Sequence, residues 1–185
     1  NEIMLTKIER GQEDFDLVCP SEYIIERMLK KDLLVPINRN FGKTPDYIPN
    51  ISPYIQKELE KISQPGRHTN DYVVPYMWGT AGILYNKKFK TLEEVSSWGC
   101  LWDAVNRGKI LMKDSYRDAY GTAIIYAHAR QLADSTITVE QLMNDNSPEA
   151  IALAEQYLKD LKPNIAGWEA DFGKEMMTKN KAWLN

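Results

Sequence analysis

Apolar and polar positions follow two alternating patterns along this chain. Behind Ser21, residues Ile24, Ile25, Met28 and Leu29 recur at helical spacing, and the run closes on Lys30 and Lys31. A hydroxyl residue at the start and cations at the end suit the helix dipole, so the pattern predicts a helix over 22–32. Ile3, Leu5 and Ile8 predict an earlier helix that stops at Gly11. Between the two, DFDLVCP (14–20) is a short apolar run bounded by acids and a proline, which reads as a buried strand. After LLVPI, the polar stretch from Asn38 to Asn50 reads as a loop, and Ser52 with Pro53 opens a third helix. From Asn70 to Lys88 the chain is apolar and β-branched at both ends with Gly79 and Gly82 between, which predicts two strand segments joined at a bend.

The second half repeats the alternation. Thr91 to Glu94 has the spacing of a capping box, and 98–107 reads as a helix or an irregular helical turn. KILM (109–112) predicts a strand, and a helix from Tyr116 to Leu132 is expected to turn Ile124, Ile125 and Ala129 inward. Ser147 and Pro148 begin another helix through EAIALAEQYLKDLK; a strand near NIAGW, a helix near DFGKEMMTKN and a broken-off strand at KAWLN follow. Strands alternating with helices predict an α/β architecture with largely parallel sheets.

Composition narrows the function classes only modestly. At 185 residues, 43% hydrophobic and 26% charged, the chain suits one good-sized domain or two small lobes. No apolar run approaches the roughly 20 residues that span a bilayer. The formal charge of −3 comes from interspersed acids and bases with no basic stripe, which argues against a nucleic-acid partner. Cys19 and Cys100 form no C-x-x-C pair, and His68 and His128 are too isolated to suggest a metal pair. No G-x-S-x-G, G-x-G-x-x-G, P-loop or H-E-x-x-H is present, so no enzyme, cofactor or metal class is indicated.

Three joins carry candidate chemistry. In GKILMKDSYRDAYG, Asp114 follows a strand and Asp118 lies in the first turn of the next helix, where ligands gather in open α/β sheets. The same Ser115-x-x-Asp118 spacing serves as a helix cap, and Arg117 can pair with a nearby carboxylate. In VCPSEYII, Ser21 and Tyr23 stand at a second strand-to-helix join, as cap and half-buried aromatic or as hydrogen-bonding and stacking groups for a ligand. In VPYMWGTAGILYN, Tyr76, Trp78 and Tyr85 flank Gly79 and Thr80, which would let a ligand or another backbone approach closely.

The succession DFDLVCPSEY, LLVPI, YVVPYMWGTAGILYN, SSWGCLWDAVNRGKILMKDSYRDAYG and LKPNIAGWEAD resembles the spermidine/putrescine-binding (PotD) family of bacterial polyamine ABC importers, in order and over nearly the whole chain. The resemblance implies a type II periplasmic-binding-protein fold, two α/β lobes with crossing hinge strands, truncated at both ends. Residues 1–76 would then be an incomplete first lobe and 77–185 a nearly complete second. It also implies a polyamine ligand, ABC permease subunits as partners, and a periplasmic or extracellular location as a membrane-anchored lipoprotein or a permease-fused domain. Carried over by position, Tyr23 would line the polyamine with Ser21 nearby, and Asp118 would bind an amine. Ser115 takes a place that is acidic in some relatives, Asp114 would add negative charge, and Trp78 and Thr80 belong to the motif strand. Weak or absent polyamine binding by this segment alone, and dimerisation through an uncovered edge, are expected of such a fragment.

Polyamine chemistry suits these residue types, because carboxylates fix ammonium ends and aromatic faces hold the methylenes between them. The alternatives are a solute-binding protein of the same fold for another small ligand and an acid/base enzyme using Asp114 and Asp118. Glu22 and Asp118 at helix starts disfavour an anionic ligand.

Overall fold

The computed structural model describes residues 1–170 and 172–185, which form two compact units, Asn1–Thr80 and Ala81–Asn185. In the first unit, helices α1 (Glu2–Glu9) and α2 (Glu22–Lys30) bury Leu5, Ile24 and Met28 against one another, with Met4, Ile8, Val18, Leu33 and Leu34 packed around them. Glu9 anchors the pair from outside by taking both Lys31 (2.8 Å) and Arg27 (3.3 Å). The chain leaves α1 through Gly11 at φ +58°, a left-handed conformation that glycine adopts without steric cost. Helix α3 (Pro53–Glu60) starts on proline as expected.

Two expected strand regions do not form ladders. Residues 14–20 are irregular and mostly exposed, with Leu17 88% accessible, and 72–83 run without strand pairing, whereas Leu84 exchanges backbone hydrogen bonds with Asn185 (2.7 and 2.9 Å). A β-branched run favours extended backbone, but a strand exists only where a second backbone supplies its hydrogen bonds. Tyr85 alone, at the start of the second unit, makes an isolated antiparallel bridge, to Leu184.

The second unit is built around strand β1 (Ile110–Lys113), which pairs in parallel with β2 (Ile165–Glu169), Lys113 opposite Glu169. Leu184 bridges β1 on its other side at Ile110, so the backbone at 183–185 lies between β1 and Tyr85. Ile110 and Met112 face a core with Val95, Leu101, Ala119, Leu161 and Leu184; Leu111 faces the opposite side with Met177 and Ala182. Burial on both faces explains why β1 reads as a continuous apolar run.

Helix α4 (Tyr116–Ala127) follows β1 and continues after His128 into α5 (Ala129–Ala133). Ile124 is fully buried, whereas Ala129 is exposed, because the helix axis breaks at His128. Short α6 (Val139–Asn144) and long α7 (Pro148–Leu161) pack against α4, and α8 (Gly173–Thr178) follows β2. Asp171, the first residue of the last expected helix region, lies outside the described residues. A 3-10 segment, Trp98–Trp102, stacks Trp102 on Tyr126 of α4 with ring centroids 4.0 Å apart, and its indole N–H donates to the Tyr157 carbonyl of α7. Buried Asn164 donates to the carbonyls of Leu101 and Asp103 and ties that segment to the start of β2.

Candidate ligand-binding site

The sequence-derived site residues divide between the units: Ser21, Tyr23, Trp78 and Thr80 in the first, Asp114, Ser115 and Asp118 in the second. In the first unit, Asn1 gathers Ser21 and Tyr23. Its amide nitrogen donates to Ser21 Oγ (3.0 Å) and to Tyr23 Oη (3.2 Å), while its oxygen accepts the Ser21 backbone N–H. Ser21 occupies the N-cap position of α2, but its side chain makes no cap bond, because the hydroxyl is engaged with Asn1. Tyr23 donates to Glu2 Oε1 at 2.7 Å. Burial of the ring and this carboxylate together push the phenol above its ordinary range, against the donor from Asn1. The tyrosine is therefore a neutral, oriented aromatic at physiological pH.

Trp78 is exposed and packs at a tilt beside Tyr54, 6.2 Å between centroids. With Tyr47, Ser52, Ile55, Tyr76 and Met77 it lines an open cleft of ≈ 360 Å³ within the first unit. Thr80 is exposed at the unit's end. Tyr54 and the cleft wall had no signal in the sequence beyond aromatic enrichment.

In the second unit, the end of β1 and the start of α4 bring Asp114, Ser115 and Asp118 together. The Asp114 backbone N–H donates to the Glu169 carbonyl of β2 (2.9 Å), which fixes the turn and leaves the carboxylate exposed. Ser115 caps α4, its hydroxyl accepting the Asp118 backbone N–H at 3.4 Å. The cap accounts for Ser115 and does not exhaust Asp118. The Asp118 carboxylate receives the Lys113 ammonium, Nζ to Oδ2 at 2.7 Å. Partial burial acts to raise its pKa, but the hydrogen bonds from Lys113 and Ser115 and the charges of Lys113 and Arg117 outweigh it and hold the carboxyl below its ordinary value. Arg117 also reaches across to α6, towards the Met143 carbonyl and the Asn144 side chain. Lys113 was not singled out in the sequence, since a strand residue and a helix residue five places apart across a turn share no periodic signature.

Among the described residues, no cluster of three or more His, Cys, Asp or Glu side chains could hold a metal ion, and no helix is long and apolar enough to cross a membrane. His68 contacts Glu60 at 3.2 Å in the first unit, and His128 contacts the Ile124 carbonyl at 3.0 Å in the second.

Residues 3–184 match the family described as bacterial extracellular solute-binding protein. The chain is 29% identical over 172 residues to the spermidine/putrescine-binding periplasmic protein of Escherichia coli K12, covering 92% of this chain and 43% of that protein. It is 30% identical over 136 residues to the putrescine-binding periplasmic protein PotF of the same organism, covering 68% and 35% respectively. Among solved structures, the spermidine/putrescine ABC transporter substrate-binding protein PotD of Streptococcus pneumoniae superposes with a TM-score of 0.61 at 30% identity over 99% of this chain and 50% of that one. A Listeria monocytogenes protein described as a candidate spermidine/putrescine ABC transporter gives 0.75 at 26% identity, covering 99% and 51%. The chain thus spans about half the length of these relatives or less.

Proposed function

Because the chain belongs to the bacterial extracellular solute-binding proteins, we propose that it serves polyamine uptake as the extracytoplasmic solute-binding component of an ABC importer, with spermidine or putrescine as cargo. The observation that carries this reading is the Asp118 carboxylate in the first turn of α4, which already holds an alkylammonium at 2.7 Å. A primary amine of the ligand offers the same head group as lysine. The relatives named for spermidine and putrescine supply the cargo class.

In this reading Asp118 binds one ammonium, and the exposed Asp114 carboxylate adds negative potential beside it. Ser115 holds the helix start that aims Asp118. Tyr23 and Trp78 offer aromatic faces to the methylenes, and Ser21 and Thr80 offer hydroxyl acceptors. Cation–π and apolar contacts of this kind contribute roughly 0.5 to 2 kcal/mol each. The protein would act by binding and release, without turnover or a cofactor, hand its cargo to permease subunits, and reside in the periplasm or outside the cell, as a lipoprotein or fused to its permease.

Calorimetric titration of spermidine and of putrescine into the purified full-length protein, beside Asp118→Asn, tests the proposal. Loss of a hydrogen bond to a charged group is worth about 1.5 to 3 kcal/mol, so the variant is expected to bind about tenfold to a hundredfold more weakly. Absence of heat with either amine, or an unchanged affinity in the variant, would overturn it.

A further inference from the structure

The ammonium on Asp118 belongs to the protein itself, and this has a consequence for ligand selection. Lys113 is the last residue of β1; its neighbour Met112 is buried, while the lysine side chain is 68% exposed and reaches the helix start only through its flexible stem. Among the described residues three carboxylates neighbour it in the fold or the chain: Asp118 at 2.7 Å, Asp114 next in sequence and exposed, and Glu169, its register partner on β2, whose carboxylate is occupied with the Gly173 backbone N–H at 3.1 Å. Among the described residues its one ion pair is with the Asp118 carboxylate, itself 36% exposed, and a lysine so held is easily displaced, because such pairs are weak and lysine recovers rotamer freedom on release. Once displaced it remains tethered within a few ångströms, and its positive charge repels any cation that takes its place.

Resting on the polyamine reading above, we infer that Lys113 is a specificity-determining residue: its ammonium occupies Asp118 in the unliganded protein, competes with the entering amine, and penalises ligands in proportion to their charge. The consequence is a receptor tilted towards the diamine over the triamine. The lysine thus acts as a built-in competitor for the site.

Two variants separate charge from packing. Lys113→Met keeps the stem and removes the charge; Lys113→Arg keeps the charge. In calorimetric titrations of the full-length protein at moderate salt, Lys113→Met is expected to bind putrescine about threefold to tenfold more tightly and spermidine more tightly still, so that the ratio of the two affinities moves towards spermidine; Lys113→Arg should stay within about twofold of wild type. A wild-type protein that binds amines while Lys113→Met shows the same affinities and the same ratio would overturn the role of Lys113 and leave the polyamine reading standing. Amine binding by neither wild type nor Lys113→Met would overturn both. Equal gains for both amines would overturn charge selection and reduce Lys113 to a plain occupant of the site.

Discussion

Asp118 is one of the carboxylates through which acid should act on this protein. Its carboxyl is held below the ordinary value in the folded state, so the folded chain binds that proton less readily than the unfolded one. Its stabilising contribution is therefore complete above the ordinary aspartate range near pH 3.9 and is lost as the pH falls through the lower, folded value. The pair with Lys113 is partly solvated, the carboxylate side chain 36% exposed, so screening keeps its share to about 0.2 to 1 kcal/mol. Urea unfolding of wild type and Asp118→Asn at pH 7 and at pH 3 is expected to show a difference in midpoint at neutrality that shrinks in acid; a constant difference would mean that the charge contributes nothing. At this scale the cap was legible, because Ser115-x-x-Asp118 is a local pattern. The hold of Lys113 on Asp118 and of Asn1 on Ser21 and Tyr23 was not, since each depends on where a neighbouring element places its side chain.

Elements that carry their own stabilisation were the ones the sequence disclosed. Helix α7 has Ser147 at its N-cap, accepting the Ala150 N–H at 3.2 Å, with proline behind it and an apolar stripe at Ala150, Ala154 and Leu161. Removing that hydroxyl in Ser147→Ala should cost about 1 kcal/mol, readable as a lower urea midpoint at unchanged slope. Strands β1 and β2 were legible because each finds a partner within its own unit. The stretch 14–20 and the first of the two segments expected over 70–88 were misread, because apolar, β-branched composition says that a segment can extend and leaves open whether a second backbone meets it; the second segment meets 183–185 at Leu84 to Asn86. Helix α6 was overlooked although Thr138 and Gln141 form a complete capping box, a signal that was present and readable at T-x-x-Q.

At the scale of the molecule, the two units differ in how well they cover themselves. In the second, β1 is buried on both faces; in the first, the cleft wall leaves Tyr76 80%, Met77 77% and Trp78 67% exposed. Contiguous apolar surface of this kind favours association. The 185-residue chain on its own is expected to self-associate with rising concentration in sedimentation velocity, and Met77→Lys should shift it towards monomer; a monomer at every concentration tested would count against this. The α/β class and the alternation of elements around β1 were legible at this scale, whereas no composition shift marks the step from the first unit to the second at Thr80 and Ala81.

The bridge from Ile110 to Leu184 also bears on how the second unit comes into being. Strand β1 is flanked by β2, more than fifty residues later, and by a residue further on still, so completing its core requires contacts that are distant in sequence. Contacts of this separation set a slow folding rate. During synthesis, helices α4 and α7 can pair as soon as they emerge, yet the side of β1 that meets Leu184, and Leu111 with its partners Met177 and Ala182, stay uncovered until residue 184 has cleared the ribosome. The unit is thus most vulnerable to proteases and to misassembly late in its own translation.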